Sequence, residues 1–475
     1  MTQTAASDVD PTPSTSREEI DAAVARVRAG YASGRTRPLE WRKQQLAALV
    51  RMLEDNEDQL VAALAADLGR PPFEGWAMDL RLTAREIGEL VSGLESWLAP
   101  EKVKVPMLFQ PARAQVVREP LGTVLVIAPW NYPIQLLVAP LAAAIAAGNT
   151  VVCKPSEVAP ATSAAMARLI PEYVDPAAVA VVEGGVDETT ALLDRPWDHI
   201  LYTGNGTVGR IVAASAARHL TPVTLELGGK SPVIVHSDAN LKYAAARIAY
   251  GKFVNAGQTC IATDHLWVHR DVADELLRLV EDEITDRYGA DPRSSKDFGR
   301  IVNSRHTQRI RTLLDAGGYD LVCGGDVDLD ARYVAPTVAR VTDPGAALMG
   351  EEIFGPVLPV LVYDDLDEPI KAIVSGDKPL ALYVFTSSDE VADRLRDETS
   401  SGGFCVNDVM LHVGVSNLPF GGVGASGYGA YHGRWGVETF SHRKAVLRKP
   451  SRSIDAPILR PPYKPWKKWL TKKVF

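Results

Sequence analysis

Nucleophilic chemistry in this chain has four sulfur candidates, Cys153, Cys260, Cys323 and Cys405, and their neighbours separate them. No pair is spaced C-x-x-C, which argues against a zinc ribbon, offers no disulfide framework and predicts no metal site. An isolated cysteine is usually a small buried hydrophobe. Cys153 and Cys405 each fall inside a predicted strand and fit that role, while Cys323, beside Gly324-Gly325, reads as a loop thiol. Cys260 differs. It closes the run Asn255-Ala-Gly257-Gln-Thr259-Cys260, whose small and polar residues let a backbone amide be exposed. A thiolate nucleophile needs such access.

Two glycine-rich stretches match G-x-G-x-x-G. Gly204-Asn-Gly206-Thr-Val-Gly209 follows a predicted strand and opens a helix, the context in which amides and a helix N-terminus hold a pyrophosphate. Glu226 then lies roughly where a ribose-binding acid would be sought. Gly422-Val-Gly424-Ala-Ser-Gly427 follows Pro419-Phe420 and opens no obvious helix, so it reads as a glycine-rich surface loop.

The elements that must carry these residues are legible from periodicity. Ser16 and Glu19 form a capping-box pattern, with Ile20, Ala23, Val24 and Val27 on one helical face. A second helix follows Pro38, with Leu46, Leu49, Val50 and Leu53 in register. Residues 122–128 (GTVLVIA) suit a strand buried on both faces, residues 134–147 a helix stopped by Gly148, and residues 150–154 (TVVCK) a second strand. That is a βαβ unit. Strands at 179–183, 199–203 and 223–227, with a helix near 208–219, extend it into a doubly wound α/β sheet. A second alternation begins after Lys230, with strands at 233–235, 266–268, 359–362, 380–385 and 403–407 and an amphipathic helix over 271–288. Two α/β domains therefore meet near Gly228 and Gly229. Residues 113–119, between two prolines, form a protruding element able to pair with the far C-terminus.

Bulk properties narrow the function. A chain of 475 residues is long enough for about three domain-sized units. A net charge of -8 gives no general attraction to nucleic acid. The start of the chain is polar and acidic rather than signal-like, and no stretch of eighteen apolar residues occurs, so a cytoplasmic location is the expectation. Residues 460–475 hold six basic and no acidic residues, interleaved with Tyr463, Trp466, Trp469 and Phe475. Each basic residue contributes about 1 kcal/mol near an anionic membrane surface. The simpler reading is a tail packed across a dimer partner or onto its own domain.

Gly257-Gln-Thr-Cys260 resembles the active-site cysteine motif of the aldehyde dehydrogenases. Leu225-Glu226-Leu-Gly-Gly-Lys-Ser-Pro232 is similar to that family's glutamate motif, Pro129-Trp-Asn131-Tyr-Pro133 to its oxyanion motif, and Lys154-Pro-Ser-Glu157 to its nucleotide-ribose motif. Glu351-Glu352-Ile-Phe354-Gly-Pro356 and Pro419-Phe-Gly-Gly422 complete the series in the family's order, the match running over about residues 38–446. His219-Leu-Thr-Pro-Val-Thr-Leu-Glu226, Lys378-Pro-Leu-Ala-Leu-Tyr-Val384 and Gly429-Ala-Tyr-His-Gly433, with a short N-terminus, resemble the class 3 branch, whose members act on fatty and aromatic aldehydes.

The resemblance implies oxidation of an aldehyde to a carboxylic acid with NAD as cofactor, NADP also accommodated, in a homodimer. A bare carbonyl carbon is a poor hydride donor, so Cys260 attacks first and the tetrahedral thiohemiacetal collapses to a thioester. The Asn131 amide and the Cys260 backbone N–H stabilise the oxyanion, each such donor being worth about 10²–10³ in kcat. Glu226 activates the hydrolytic water and helps deprotonate the thiol, in which case it lies near Cys260 and away from the adenosine. Lys154 and Glu157 take ribose hydroxyls, and a carboxylate at Glu157 disfavours a 2′-phosphate. Gly204, Asn205 and Gly209 form the phosphate side, Glu352 holds the nicotinamide ribose, and Phe354 packs near that end. Trp130, Tyr132 and Tyr250 are the candidate tunnel-lining aromatics. Asn205-Gly206 stand where the family more often has Ser and Thr, and Tyr202 replaces the usual phenylalanine.

The implied domain map has a disordered tail over 1–15, an NAD(P)-binding domain over 16–98 and 120–226, and a bridging, oligomerising β element over 99–119 and 425–450. A catalytic domain over 227–424 and a basic aromatic tail over 451–475 complete it. Two rivals stand beside this reading. One is a CoA-acylating relative that passes the thioester elsewhere, disfavoured by a water-activating Glu226. The other is a retired NAD-binding structural protein, disfavoured by an intact Cys260, Glu226 and Asn131.

Overall fold

The computed structural model describes residues 14–451 and 460–474. The first thirteen positions of the expected N-terminal tail lie outside these residues. Thr15, placed in that tail by sequence, is held instead: its amide donates to the Glu183 carbonyl at 3.1 Å, and its hydroxyl accepts from the Glu183 amide at 3.0 Å. Ser16 and Glu19 form the expected reciprocal cap on the helix Arg17–Ala32.

The N-terminal sheet has the strand order Gly427–Tyr428, Val223–Glu226, His199–Thr203, Thr123–Ile127, Thr150–Lys154, Val179–Val181. Its neighbours are parallel except for Gly427–Tyr428, which runs antiparallel onto Leu225 and Glu226. Three of its strands are buried along their whole length, as continuous apolar runs in a parallel sheet must be. The helix Gln135–Ala147 connects the first two strands and ends at Gly148, whose φ of 99° is left-handed backbone that glycine adopts without a Cβ clash.

The C-terminal sheet has the order Tyr319–Cys323, Thr337–Val341, Val357–Tyr363, His265–His269, Pro232–Val235, Ala381–Phe385, Gly403–Val406. It is parallel apart from its first strand, which also takes up Cys323, the expected loop thiol. The two sheets, with helices packed on them, are the expected pair of α/β units. A three-stranded antiparallel sheet joins Glu101–Val103, Arg113–Pro120 and Ser441–Arg448, so the protruding element does pair with a C-terminal strand.

Two expectations shift. The second glycine run is a surface loop only in part: Gly424 and Ala425 are exposed, but Ser426 and Gly427 are buried, and a Cβ at Gly427 would lie 1.9 Å from the Leu225 carbonyl oxygen. Glycine is needed there to bring a strand edge-on to Glu226. Residues 425–440 also sit with the N-terminal half, since a Cβ at Gly436 would fall 2.8 Å from that of Ala143.

Near the C-terminus, the helix Pro465–Val474 leaves Trp466 and Trp469 exposed and buries Lys467, whose Nζ donates to the Arg460 carbonyl at 2.5 Å. Residues 452–459 and Phe475 of that tail lie outside the described residues. No helix among the described residues is long and apolar enough to cross a membrane.

Candidate active site

The N-terminal sheet reverses its order at Thr123–Ile127, with Thr150–Lys154 on one side and His199–Thr203 on the other. Open parallel sheets bind ligands at the carboxyl ends of the strands flanking such a switch. Asn131 follows the first of these strands, Lys154 ends the second, Gly204 follows the third, and Glu226 ends the next one along. The predicted residues of this half therefore gather on one edge of the sheet.

On the phosphate side, Asn205 caps the helix Gly206–Ala217, its Oδ1 accepting from the Val208 amide at 3.0 Å. That carbonyl oxygen is committed to the helix. A Cβ at Gly209 would lie 2.8 Å from Leu227, so this glycine sets helix–strand packing. The Thr203 hydroxyl is buried without a partner beside the helix start. Lys154 is buried, donating to Pro155 O at 2.7 Å and to Glu157 Oε2 at 3.1 Å, and burial lowers its pKa. An amide-rich helix end, an unpaired hydroxyl, a lysine and a half-exposed carboxylate at a switch point fit a dinucleotide.

Cys260 is half-buried, while its neighbours Gln258, Thr259 and Ile261 are buried. The local chain is strained to place it. Asn255, Ala256 and Gly257 all have left-handed φ, 52°, 50° and 75°, a conformation costing L-residues about 1–2 kcal/mol each. Gln258 pays part of that back, its side chain bonding the Asn255 and Arg300 carbonyls at 3.0 and 2.9 Å and the Val302 amide at 2.9 Å. A Cβ at Gly257 would stand 2.3 Å from the Gly355 carbonyl oxygen, so the Glu352–Phe354 turn rests directly on the cysteine loop.

Burial pushes the Cys260 thiol up to about 12, with the carboxylates of Glu352 and Glu226 adding to the rise and the amides of Cys260 and Ile261 opposing it. Glu226 is almost wholly buried, neither carboxylate oxygen has a hydrogen-bond partner among the described residues, and burial raises its pKa well above the usual carboxylate range. Asn131 is buried, and its Nδ2 donates to Gln258 O at 3.0 Å, so the amide and the cysteine loop are directly tied. An Asn side chain carries two N–H donors, and the second is free to meet a substrate oxygen.

Glu352 reaches over Gly228, where a Cβ would lie 2.0 Å from its Oε2. Burial, then Asp264, raises its pKa to about 8, opposed by the Gly229 amide. The turn carrying it is pinned by Lys230, whose Nζ bonds Asp264 Oδ2 at 2.6 Å and the Leu348 and Glu351 carbonyls at 2.9 Å. Phe354 has a φ of 47° and meets Trp130 edge-on with centroids 5.3 Å apart, while Trp130 also tilts against His306. Trp130 is thus a neighbour of the Glu352–Phe354 turn.

Tyr132 is not an open tunnel wall: it is buried, bonds the Thr259 hydroxyl at 2.8 Å and lies 4.5 Å beneath the Arg70 guanidinium. Tyr250 is half-buried, under Arg247 and 4.0 Å from the Met78 sulfur.

Tyr431 was quoted only as part of a branch motif, yet its buried hydroxyl has no partner and its pKa is raised by burial, then by Glu226, Glu86 and Cys260. Its ring stacks at 4.1 Å on His432, which bonds Glu86 Oε2 at 2.7 Å. Lys230, Asn255 and Gln258 lay inside quoted motifs without a role. Arg70 and Asp79 carried no signal at all.

The model of the aldehyde dehydrogenase family matches residues 4–446. The dimeric NADP-preferring aldehyde dehydrogenase of Mus musculus is 46% identical over 448 residues, 94% of this chain and 98% of that protein. Aldehyde dehydrogenase family 3 member I1, chloroplastic, of Arabidopsis thaliana is 45% identical over 460 residues, 96% of this chain and 84% of that one. The substrate-bound state of Staphylococcus aureus AldH superposes with a TM-score of 0.93 at 40% identity, covering 96% and 99% of the two chains. The Mycobacterium tuberculosis aldehyde dehydrogenase complexed with NAD+ gives 0.84 at 30%, covering 93% and 92%.

The cytoplasmic expectation is withdrawn. A relative this similar is named chloroplastic, and compartment is written in separable targeting segments rather than in the fold. Agreement over nearly the whole chain, in sequence and in fold, makes this protein a member of the aldehyde dehydrogenase family, an enzyme that oxidises aldehydes with NAD(P).

Proposed function

We propose that the reaction passes through a thioester on Cys260 and that water, not CoA, receives the acyl group. The observation that carries this reading is a reachable thiol beside a buried carboxylate, Glu226, whose two oxygens have no other partner. The Cys260 sulfur adds to the aldehyde carbon as its proton leaves to Glu226, and the new oxyanion takes the free Asn131 N–H and the Cys260 backbone N–H. The bound nicotinamide supplies the hydride acceptor. Glu226 passes the thiol's proton to solvent while Cys260 retains the acyl group, then takes a proton from the attacking water and returns it to the departing thiolate, releasing acid and free thiol. Product analysis with and without CoA tests this: carboxylate in both is expected, and acyl-CoA formation overturns it.

Lys154 and Glu157 would hold the adenosine ribose, and Glu352 the nicotinamide ribose. A carboxylate at Glu157 supports NAD as the first cofactor, with NADP also used. We assign residues 16–98 and 120–226 to the nucleotide domain, 227–424 to the catalytic domain and the three-stranded sheet to a homodimer contact. The class 3 motifs, with a relative named family 3 member A2, support medium or long aliphatic and aromatic aldehydes as substrates.

Two results are expected from the environment of these groups. Cys260 and Glu226 both have raised pKa values, and both act after losing a proton. The single-turnover rate of nicotinamide reduction should therefore keep climbing as pH rises above neutral, because the thiol is pushed up to about 12; a flat or falling profile contradicts the assignment. Gly228 lacks left-handed φ, so Gly228→Ala should fold, yet the new methyl occupies the place of the Glu352 carboxylate. Its KM for NAD should rise about tenfold, the cost of one displaced hydrogen-bonded group, against little change in melting temperature.

A further inference from the structure

Beneath the oxyanion donors lies a buried arginine that the reaction does not touch. The Arg70 side chain has no solvent exposure, and its planar fork of five N–H donors is spread over three separate segments. Nη1 donates to Asp79 Oδ2, Nη2 to the Asn131 backbone carbonyl, and Nε to Asn255 Oδ1 at 3.2 Å, with Glu74 Oε1 3.6 Å away.

Each partner is itself bonded onward. Asp79 Oδ1 accepts from the Ile134 and Gln135 amides at 3.1 and 2.9 Å, fixing the far end of the Pro129–Pro133 turn. Asn255 Nδ2 donates to Asn131 O at 2.9 Å and to Gln258 O at 3.1 Å, and Asn131 Nδ2 donates to the same Gln258 carbonyl at 3.0 Å. Glu74 accepts from the Asn255 amide at 2.9 Å. The result is a closed ring running from Arg70 through Asn131, Gln258 and Asn255. It carries one oxyanion donor, Asn131 Nδ2, and ends two residues before the other, Cys260 N–H.

We propose that Arg70 is a positioning residue that sets the separation and aim of the two oxyanion donors, acting through the Asn131 carbonyl and the Asn255 side chain. The inference rests on the reading that Asn131 and the Cys260 amide receive the oxyanion. A lysine at this position keeps the charge opposite Asp79, but one ammonium has neither the reach nor the fixed fork to serve Asp79, Asn131 and Asn255 together.

A double-mutant cycle separates positioning from mere stability. The readout is the single-turnover rate of nicotinamide reduction with hexanal and saturating NAD, for wild type, Arg70→Lys, Asn131→Ala and the double variant. Arg70→Lys should slow the step by about ten- to a hundredfold, less than the roughly 10²–10³ of a donor removed outright because the donor is only misaimed, with NAD affinity held. In the Asn131→Ala background it should slow the step by less than about threefold, because the donor it aims is already gone. Equal losses in both backgrounds overturn the inference and leave the oxyanion reading standing. An unchanged rate in Asn131→Ala alone overturns that reading as well. If Arg70→Lys gives no cooperative melt, Asn255→Gly carries the same cycle, since glycine keeps the left-handed backbone and removes only the side chain.

Discussion

Replacing Cys260 with serine should lower aldehyde-dependent nicotinamide reduction by about 10⁴-fold or more, the scale on which removing a catalytic nucleophile acts. The reason is local. Burial, with the carboxylates of Glu352 and Glu226 adding to it, makes the thiol itself hard to ionise, and a serine hydroxyl, far less acidic, is harder still. Without the covalent bond the carbonyl carbon stays trigonal and does not expel hydride. The fold should survive, because Cys260 is half-buried and its place is set by Gln258 and the three left-handed residues before it. Absorbance of the reduced cofactor, measured beside the melting temperature, checks both halves. Wild-type turnover in Cys260→Ser rejects covalent catalysis.

The second large effect is expected at Glu226, and it has a different signature. Glu226→Gln removes the proton acceptor while keeping the shape of a side chain that has no hydrogen-bond partner to lose. Steady-state turnover should fall by about 10²–10⁴-fold, the usual worth of a general base. A rapid first phase should nonetheless persist, approaching one reduced nicotinamide per active site at high pH, where the thiol ionises without help. Stopped-flow absorbance resolves the two phases. Loss of the first phase at every pH would place Glu226 before hydride transfer alone, and unchanged turnover would remove it from the reaction.

Legibility in the sequence tracks the range of the interaction. Local devices could be read directly: the Ser16–Glu19 cap, Gly148 as a helix stop, and buried strands such as Thr123–Ile127 written as unbroken apolar runs. Cys260 stood out because its reactivity depends on its immediate neighbours. Glu226 did not, since glutamate at a strand end is commonplace and its isolation from every partner is a property of the folded crevice. Arg70 and Asn255 are 185 positions apart, and nothing in Leu-Gly-Arg-Pro-Pro announces that the arginine lies under the turn holding Asn131. Gly427 was misread for the same reason, its contact with Leu225 being invisible until the chain returns across about half its length. Asn205, read for the phosphate side, also caps its own helix, a local role that its place just before Gly206 favours.

The most direct test is the mass of the cysteine peptide itself. Glu226→Gln enzyme, mixed with octanal and NAD at high pH, quenched in acid and digested, should carry an octanoyl group on the peptide containing Cys260, with the peptides of Cys153, Cys323 and Cys405 unmodified. Stoichiometric cofactor reduction with no acyl group on Cys260 would contradict the account.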